Sequence, residues 1–145
     1  MATQSTTFSA NSGQMGLLRG VLLGNASFSI ITGLAFLLWS QPIATFLGGV
    51  PALEIIALGV ILLPFAAFVA WAATRPTINR QAVRIIIAMD IAWVLGSALL
   101  LLTGVLPLTS GGKWAIGIVA DIVACFALGQ FIGLRRAAFI ASQDA

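Results

Sequence analysis

The sequence lacks several of the residues on which enzyme and metal sites most often depend. Its 145 residues include no histidine and no tyrosine, and its one cysteine, Cys125, lies within a long apolar run. Histidine is the commonest general base and metal ligand, so its absence removes many catalytic and metal sites. A lone cysteine allows no intrachain disulfide, no cysteine redox pair and no cysteine zinc site. We therefore expect no catalytic residue, no metal and no cofactor.

Charge is also scarce. Only 8% of the residues are charged, against about 25% in soluble proteins, while 60% are hydrophobic. The hydrophobic residues form four runs, Leu17–Trp39, Leu53–Thr74, Val83–Thr103 and Trp114–Leu134. A helix of roughly 20 apolar residues crosses a hydrocarbon core about 30 Å thick. Since lipid offers the backbone no hydrogen-bond partner, each run must form its own bonds as a helix.

This pattern predicts an all-α polytopic membrane protein, a bundle of four transmembrane helices over residues 17–136. Residues 1–16 are polar, uncharged and rich in serine and threonine, and they predict a flexible N-terminal tail. Residues 137–145 follow the last apolar run and predict a short cytoplasmic C-terminal tail.

The basic residues predict the orientation. Six of the seven lie at one end of the predicted helices, namely Arg19, Arg75, Arg80, Arg84, Arg135 and Arg136, and Lys113 lies at the other. Because short loops rich in lysine and arginine stay on the cytoplasmic side, we expect both termini in the cytoplasm. The chain is then a multi-pass protein of the cell inner membrane. Its basic residues form no stripe for nucleic acid, so the expected partner is the lipid bilayer.

The two halves of the chain resemble each other weakly. A shift of 65 residues aligns Arg19 with Arg84, Asn25 with Asp90, Phe28 with Trp93, Leu34 with Leu99, and Pro42 with Pro107. A shift of 60 aligns Trp71 with Phe131 and Arg75 with Arg135. Since each half has two spans, the halves would share one orientation, as in a 2+2 parallel repeat. Chance similarity among leucine-rich helices is the alternative.

Among the polar side chains within the predicted spans, three are candidates for a site: Asn25, Asp90 and Asp121. An acid near the bilayer centre costs roughly 2.5–3.5 kcal/mol, so both acids should face the bundle interior or a wet cavity. At 1.5 Å rise per residue the three groups fall within roughly 10 Å of one level. They are candidates for a ligand or ion site. The alternative is a structural cluster in which Asn25 hydrogen-bonds a protonated acid.

Small residues predict where helices pack closely. The candidates are Gly20, Gly24, Gly117, Gly129 and Gly133. In the fourth predicted helix Gly117, Gly129 and Gly133 belong to a row that repeats every four residues and includes Asp121 and Cys125. Such rows let helix backbones approach, within a bundle or between copies. We therefore interpret Cys125 as a small packing residue.

The first half of the chain also carries a family resemblance. Leu17-Leu18-Arg19 opens the first helix, Gly24, Phe28 and Gly33 follow, and Glu54 opens the second. This half resembles the DoxX-like family, small four-helix bacterial membrane proteins of which some are linked to thiol or quinone redox systems. The resemblance implies the four-helix architecture. The chain has no cysteine pair, so the resemblance implies no catalytic residue here.

Three classes of function remain. The first is a non-catalytic membrane protein that acts by helix–helix association with itself, as a homo-oligomer, or with a membrane-protein partner. The second is a small transporter, or a protein that binds a lipophilic ligand or ion at Asn25, Asp90 and Asp121. The third is a membrane enzyme or redox subunit, for which the residue inventory is poor. We expect the first.

Overall fold

A computed structural model describes the backbone of residues 4–141 and the side chains of residues 16–136. It contains five helices: α1 (Gln4–Leu38), α2 (Ser40–Leu47), α3 (Ala52–Thr74), α4 (Arg80–Thr103) and α5 (Ser110–Ala141). Four of them are long and apolar enough to cross a membrane, over Gly16–Leu38, Ala52–Thr74, Arg80–Thr103 and Ser110–Arg136. The predicted all-α bundle of four transmembrane helices is confirmed, and the chain is a small multi-pass membrane protein.

The first and last helices, α1 and α5, extend beyond the predicted spans. α1 begins at Gln4, within the segment for which the sequence predicts a tail, and α5 ends at Ala141. Within residues 16–136, whose side chains are described, the first span ends at Leu38 and the last begins at Ser110, close to the predicted limits. Residues 1–3 and 142–145 of the predicted tails lie outside the described part of the chain.

Local hydrogen bonds fix the helix ends at the basic end of the bundle, where Arg19 and Arg75 lie. The Nη2 of Arg19 donates to the backbone oxygens of Arg75 and Pro76, each at 2.7 Å. A cation is favourable there because the last carbonyls of α3 have no helical partner. Asn79 caps α4, since its side-chain oxygen accepts from the backbone N–H groups of Gln81 and Ala82. These bonds tie the start of α1 to the α3–α4 connection.

The opposite end of the bundle is closed by α2. The Oγ1 of Thr109 donates to the carbonyl of Phe46 at 2.7 Å, and the Thr109 N–H donates to the carbonyl of Leu47 at 2.9 Å. The same hydroxyl oxygen accepts from the N–H of Gly112 at 2.9 Å, which caps α5. One threonine therefore joins the end of α2 to the start of α5.

Around the bundle axis the long helices follow the order α1, α3, α4, α5. The most extensive packing is between α1 and α3, followed by α4 with α5 and α1 with α5. The α3–α4 seam is short. α1 and α4 lie diagonally, and among the described residues no pair of their Cα atoms comes within 8 Å.

The hydrophobic core lies in the half nearer the basic end. There Leu18 and Leu22 of α1, Val69 of α3, and Val83 and Ile86 of α4 are at most 1% exposed and belong to one core. In the other half of α4, no residue from 91 to 103 is buried. The bundle is thus filled at the basic end, and along α4 it is open in the other half.

The α1–α5 seam depends on glycines, as the sequence predicts for Gly24, Gly129 and Gly133. A Cβ added to Gly129 would lie 3.2 Å from Cγ1 of Val21, and one on Gly133 would lie 3.1 Å from Cδ1 of Leu18. A Cβ on Gly24 would lie 3.2 Å from the ring of Phe126. The three glycines therefore let the two helices approach.

Gly20 and Gly117 make no close contact within the bundle. A Cβ at either position would meet no atom within 4 Å outside its own helix. The reason is geometric: a residue row with a spacing of four advances about 40° around a helix at each step. Such a row leaves the contact face after two or three residues. A closer approach links Gly33 of α1 with Gly59 of α3, where an added Cβ on Gly59 would lie 2.9 Å from the Gly33 carbonyl oxygen.

Two of the aligned residue pairs make the same local contact within their own helices. The guanidinium of Arg75 lies 4.7 Å from the ring centroid of Trp71, and that of Arg135 lies 4.9 Å from the ring of Phe131. These are the residue pairs that the 60-residue shift aligns.

Replacing Gly129 and Gly133 together by leucine should destabilise the bundle. The added side chains would meet Val21 and Leu18, and overpacking of this kind typically costs about 1–3 kcal/mol. We expect a lower melting temperature in detergent. Gly20→Leu is the matched control, because Gly20 is exposed and an added Cβ there meets no atom within 4 Å, and it should melt like the unaltered chain. Equal melting of the double variant and the control would refute close packing at this seam.

Candidate ligand site

Three buried polar side chains from three helices meet inside the membrane-spanning region. Asn25 of α1, Asp90 of α4 and Gln130 of α5 are 1%, 2% and 0% exposed. The Asn25 Nδ2 donates to Asp90 Oδ2 at 2.7 Å, and the Gln130 Nε2 donates to the same oxygen at 3.1 Å. Ser29 Oγ donates to Asn25 Oδ1 at 3.3 Å. We call these four residues the polar cluster.

The level of the polar cluster follows from the spacing along each helix. Asn25, Asp90 and Gln130 each lie six residues from an arginine at the basic end, respectively Arg19, Arg84 and Arg136. Six residues of helix span about 9 Å. Since α1 and α4 run away from the basic end and α5 returns to it, equal offsets bring the three groups to one depth.

Some hydrogen-bonding atoms in and beside the polar cluster have no partner. Both amides donate to Oδ2 of Asp90, so Oδ1 takes part in neither bond. Gln130 Oε1 and Trp93 Nε1 are buried and have no hydrogen-bond partner. Buried polar atoms without partners are uncommon, and they occur where a protein holds a ligand, water or strain. Asp90 Oδ2 is thus held by two hydrogen bonds, whereas Gln130 Oε1 and Trp93 Nε1 have no partner.

A small cavity of about 90 Å³ adjoins the polar cluster. Asn25, Ser29 and Asp90 line it together with the aromatic rings of Phe28 and Trp93. This volume accommodates a few water molecules or one end of a larger molecule.

A second cavity, of about 710 Å³, lies in the open half of the bundle. α2 contributes Ile43 and Phe46 to its wall, and the other lining residues come mainly from the facing parts of α3, α4 and α5. Its lining is apolar apart from Glu54 and Ser97. The two cavities share Ile61, Trp93 and Val119 as lining residues, so they adjoin each other.

The large cavity opens sideways between α3 and α4. Ile61 of α3 lines it although its side chain is 63% exposed, and Gly96 of α4 lines it with no neighbouring atom within 4 Å of an added Cβ. The short α3–α4 seam leaves this gap. Toward the basic end the core of Leu22, Val69 and Ile86 closes the bundle. The cavity is therefore open between α3 and α4 and closed toward the basic end.

Asp121 lies outside the polar cluster, contrary to the expectation that both acids face the interior. Its side chain is exposed, whereas Ala120, Ala127 and Gln130 form part of the buried face of α5. Successive residues of a helix are about 100° apart, so the residue after Ala120 turns away from that face. Cys125 is exposed on the same side and is not a packing residue within the bundle.

Gln130 was not predicted from the sequence, although a signal was present. It is a polar residue inside the fourth apolar run, at the same distance from an arginine as Asn25 and Asp90. Placing an amide in a membrane costs less free energy than placing an acid there, so an amide is a weaker indication of a functional site. The cavity had no comparable signal, because apolar lining residues and lipid-facing residues have the same composition.

No family model, no curated protein and no solved structure matches this chain. The resemblance to the DoxX-like family therefore stays a prediction. Function is inferred from the geometry of the bundle.

The polar cluster should stabilise the fold through the carboxyl of Asp90. Asp90→Asn retains an oxygen that accepts from the two amides, so we expect a melting temperature close to that of the unaltered chain. Asp90→Leu removes the acceptor and leaves both buried amides unpaired, and the variant should melt earlier. A double-mutant cycle of Asn25→Ala and Asp90→Ala should give a coupling of about 0.6–1.7 kcal/mol. A leucine variant as stable as the unaltered chain would contradict this role.

Proposed function

We propose that this protein binds an apolar molecule taken from the bilayer in the large cavity. The observation that carries the proposal is a pocket of about 710 Å³ within the membrane-spanning region, open between α3 and α4. Ligand pockets of proteins commonly measure about 300–1,000 Å³ and are mostly apolar with a few polar groups. A molecule dissolved in the bilayer would reach this one without crossing water.

The shape of the pocket favours binding over conduction. The linings of the small and the large cavity together run along α4 from Asp90 to Leu100, about 15 Å of helix, and the core near the basic end blocks any continuation. A ligand would place its apolar body beside α2 and α3 and one end near the polar cluster. Of the functions expected from the sequence, the lipophilic-ligand class fits this geometry best, with Asn25 and Asp90 at its inner end.

Filling the cavity should abolish binding. Gly96→Leu adds a side chain at a position that lines the cavity and where an added Cβ meets no atom, so the fold should tolerate it. Gly20→Leu is the matched control, because Gly20 is exposed and equally unobstructed but lies away from the cavity. The reporter is Trp93, which lines both cavities, in a chain whose exposed Trp39, Trp71 and Trp114 are replaced by phenylalanine.

The probe is bromodecane, whose bromine quenches tryptophan fluorescence on contact. We expect saturable quenching of Trp93 in the reporter chain, the same quenching with Gly20→Leu, and its loss with Gly96→Leu. Quenching that rises linearly with the probe, or that is equal in both glycine variants, would reflect partition into the micelle and would overturn the proposal.

Association between two copies through α5 is the second candidate. Asp121 supports it, since its exposed carboxyl lies near the middle of a membrane span, where contact with lipid is unfavourable. Gly117 and Cys125 lie one turn before and after it and offer little steric hindrance to a neighbouring helix. In a two-fold contact the two Asp121 carboxyls can hydrogen-bond each other, one donating and the other accepting.

The exposed Cys125 tests this association without any added label. If two α5 helices meet at this face, mild oxidation in membranes should link the chains through Cys125 into a covalent dimer. Asp121→Leu should lower the yield several-fold because it removes the hydrogen bond, and Asp90→Asn should leave the yield unchanged. A monomeric chain after oxidation, or equal yields in all three proteins, would contradict the association.

A further inference from the structure

We infer that the molecule bound in the cavity is an apolar cation, such as a hydrophobic amine or phosphonium. This inference rests on the proposed function and adds the charge of the ligand. Both charged residues that line the two cavities are acidic, Glu54 in the large one and Asp90 in the small one. The chain has seven basic residues and four acidic ones, so an acidic lining is not a consequence of composition.

Glu54 provides a negative charge near the outer part of the cavity. It lies in the first turn of α3, is exposed and lines the cavity beside apolar side chains. The attraction between a carboxylate and a cation is stronger next to an apolar, weakly polarisable wall than in water. An anion at the same place would be repelled, and it would also lose its hydration without gaining a partner. Lys113, at the same end of the bundle, does not line the cavity.

Asp90 provides an acidic group at the inner end. The amides of Asn25 and Gln130 hold its Oδ2 and leave Oδ1 outside both bonds. The carboxyl group is thus held in place by neutral donors at the inner end of the pocket.

Aromatic rings line the path between the two acids. Phe36 and Phe46 lie in the wall of the large cavity, and Trp93 lies in the wall of both. The faces of such rings attract cations, tryptophan most strongly, and the attraction increases where water is excluded. A cation with an apolar body therefore finds favourable contacts along the cavity, whereas an anion of the same size finds none of these.

Two ions of nearly the same shape and opposite charge test the inference: tetraphenylphosphonium and tetraphenylborate. Binding of each to the full chain in a non-ionic detergent is measured by equilibrium dialysis, and uptake by protein-free micelles is subtracted. We expect the phosphonium to bind at least tenfold more tightly than the borate. Gly96→Leu should abolish its binding and Gly20→Leu should leave it unchanged.

Replacing the acids one at a time then shows which of them produce the preference for a cation. Glu54→Gln and Asp90→Asn should each weaken phosphonium binding several-fold without weakening borate binding. Asp121→Asn is the matched control, because it removes an acid that lies outside the cavity, and it should have no effect. Glu54 is exposed, so its glutamine variant should fold even if a change at Asp90 disturbs the polar cluster.

The outcomes separate the two proposals. Equal binding of both ions, lost in Gly96→Leu, would overturn the cation inference and leave the cavity proposal intact. An effect of Asp121→Asn as large as that of Glu54→Gln would show a general effect of net charge and would also overturn the inference. If neither ion shows binding that depends on Gly96 and bromodecane quenching is likewise unaffected, both proposals fail.

Discussion

The hydrogen bond between Asn25 and Asp90 determines how this bundle is organised. It spans the diagonal between two helices whose backbones do not touch, at 2.7 Å between the donor and acceptor atoms. In an apolar solvent these groups must find partners inside the protein, so α1 and α4 are constrained in rotation as well as depth. Between this level and the basic end the bundle is filled by aliphatic side chains, and toward the opposite end α3 and α4 separate around the cavities.

The same hydrogen bond joins two residues that occupy matching positions in the two halves of the sequence. Residues related by a two-fold axis approach each other when they lie near that axis, and Asn25 and Asp90 are related by the 65-residue shift. The paired contacts of Arg75 with Trp71 and of Arg135 with Phe131 lie farther out, at corresponding places on α3 and α5. An amide opposite an acid completes a hydrogen bond that two identical acids would make only by sharing a proton.

The sequence was sufficient for the properties that depend on position along the chain. Span limits, the common depth of Asn25 and Asp90, and the glycine contacts at Gly129 and Gly133 all follow from residue spacing. The rotation of each helix about its axis is harder to predict, because a transmembrane helix is apolar on its lipid face as well as its buried face. Asp121 was therefore assigned to the wrong side of α5, and neither Gln130 nor the cavity was foreseen.

The cavity lies behind the seam at which neighbouring long helices pack least. On the α1–α5 seam Gly24 and Gly129 have no side chains, and the helices pack closely. The residue shifts of 65 and 60 align these glycines with Met89 and Val69, which carry side chains, and α3 and α4 pack over a short seam only. The bundle thus combines one extensive seam with one short seam, and the acidic group of Asp90 lies at the inner end of the space behind the short one.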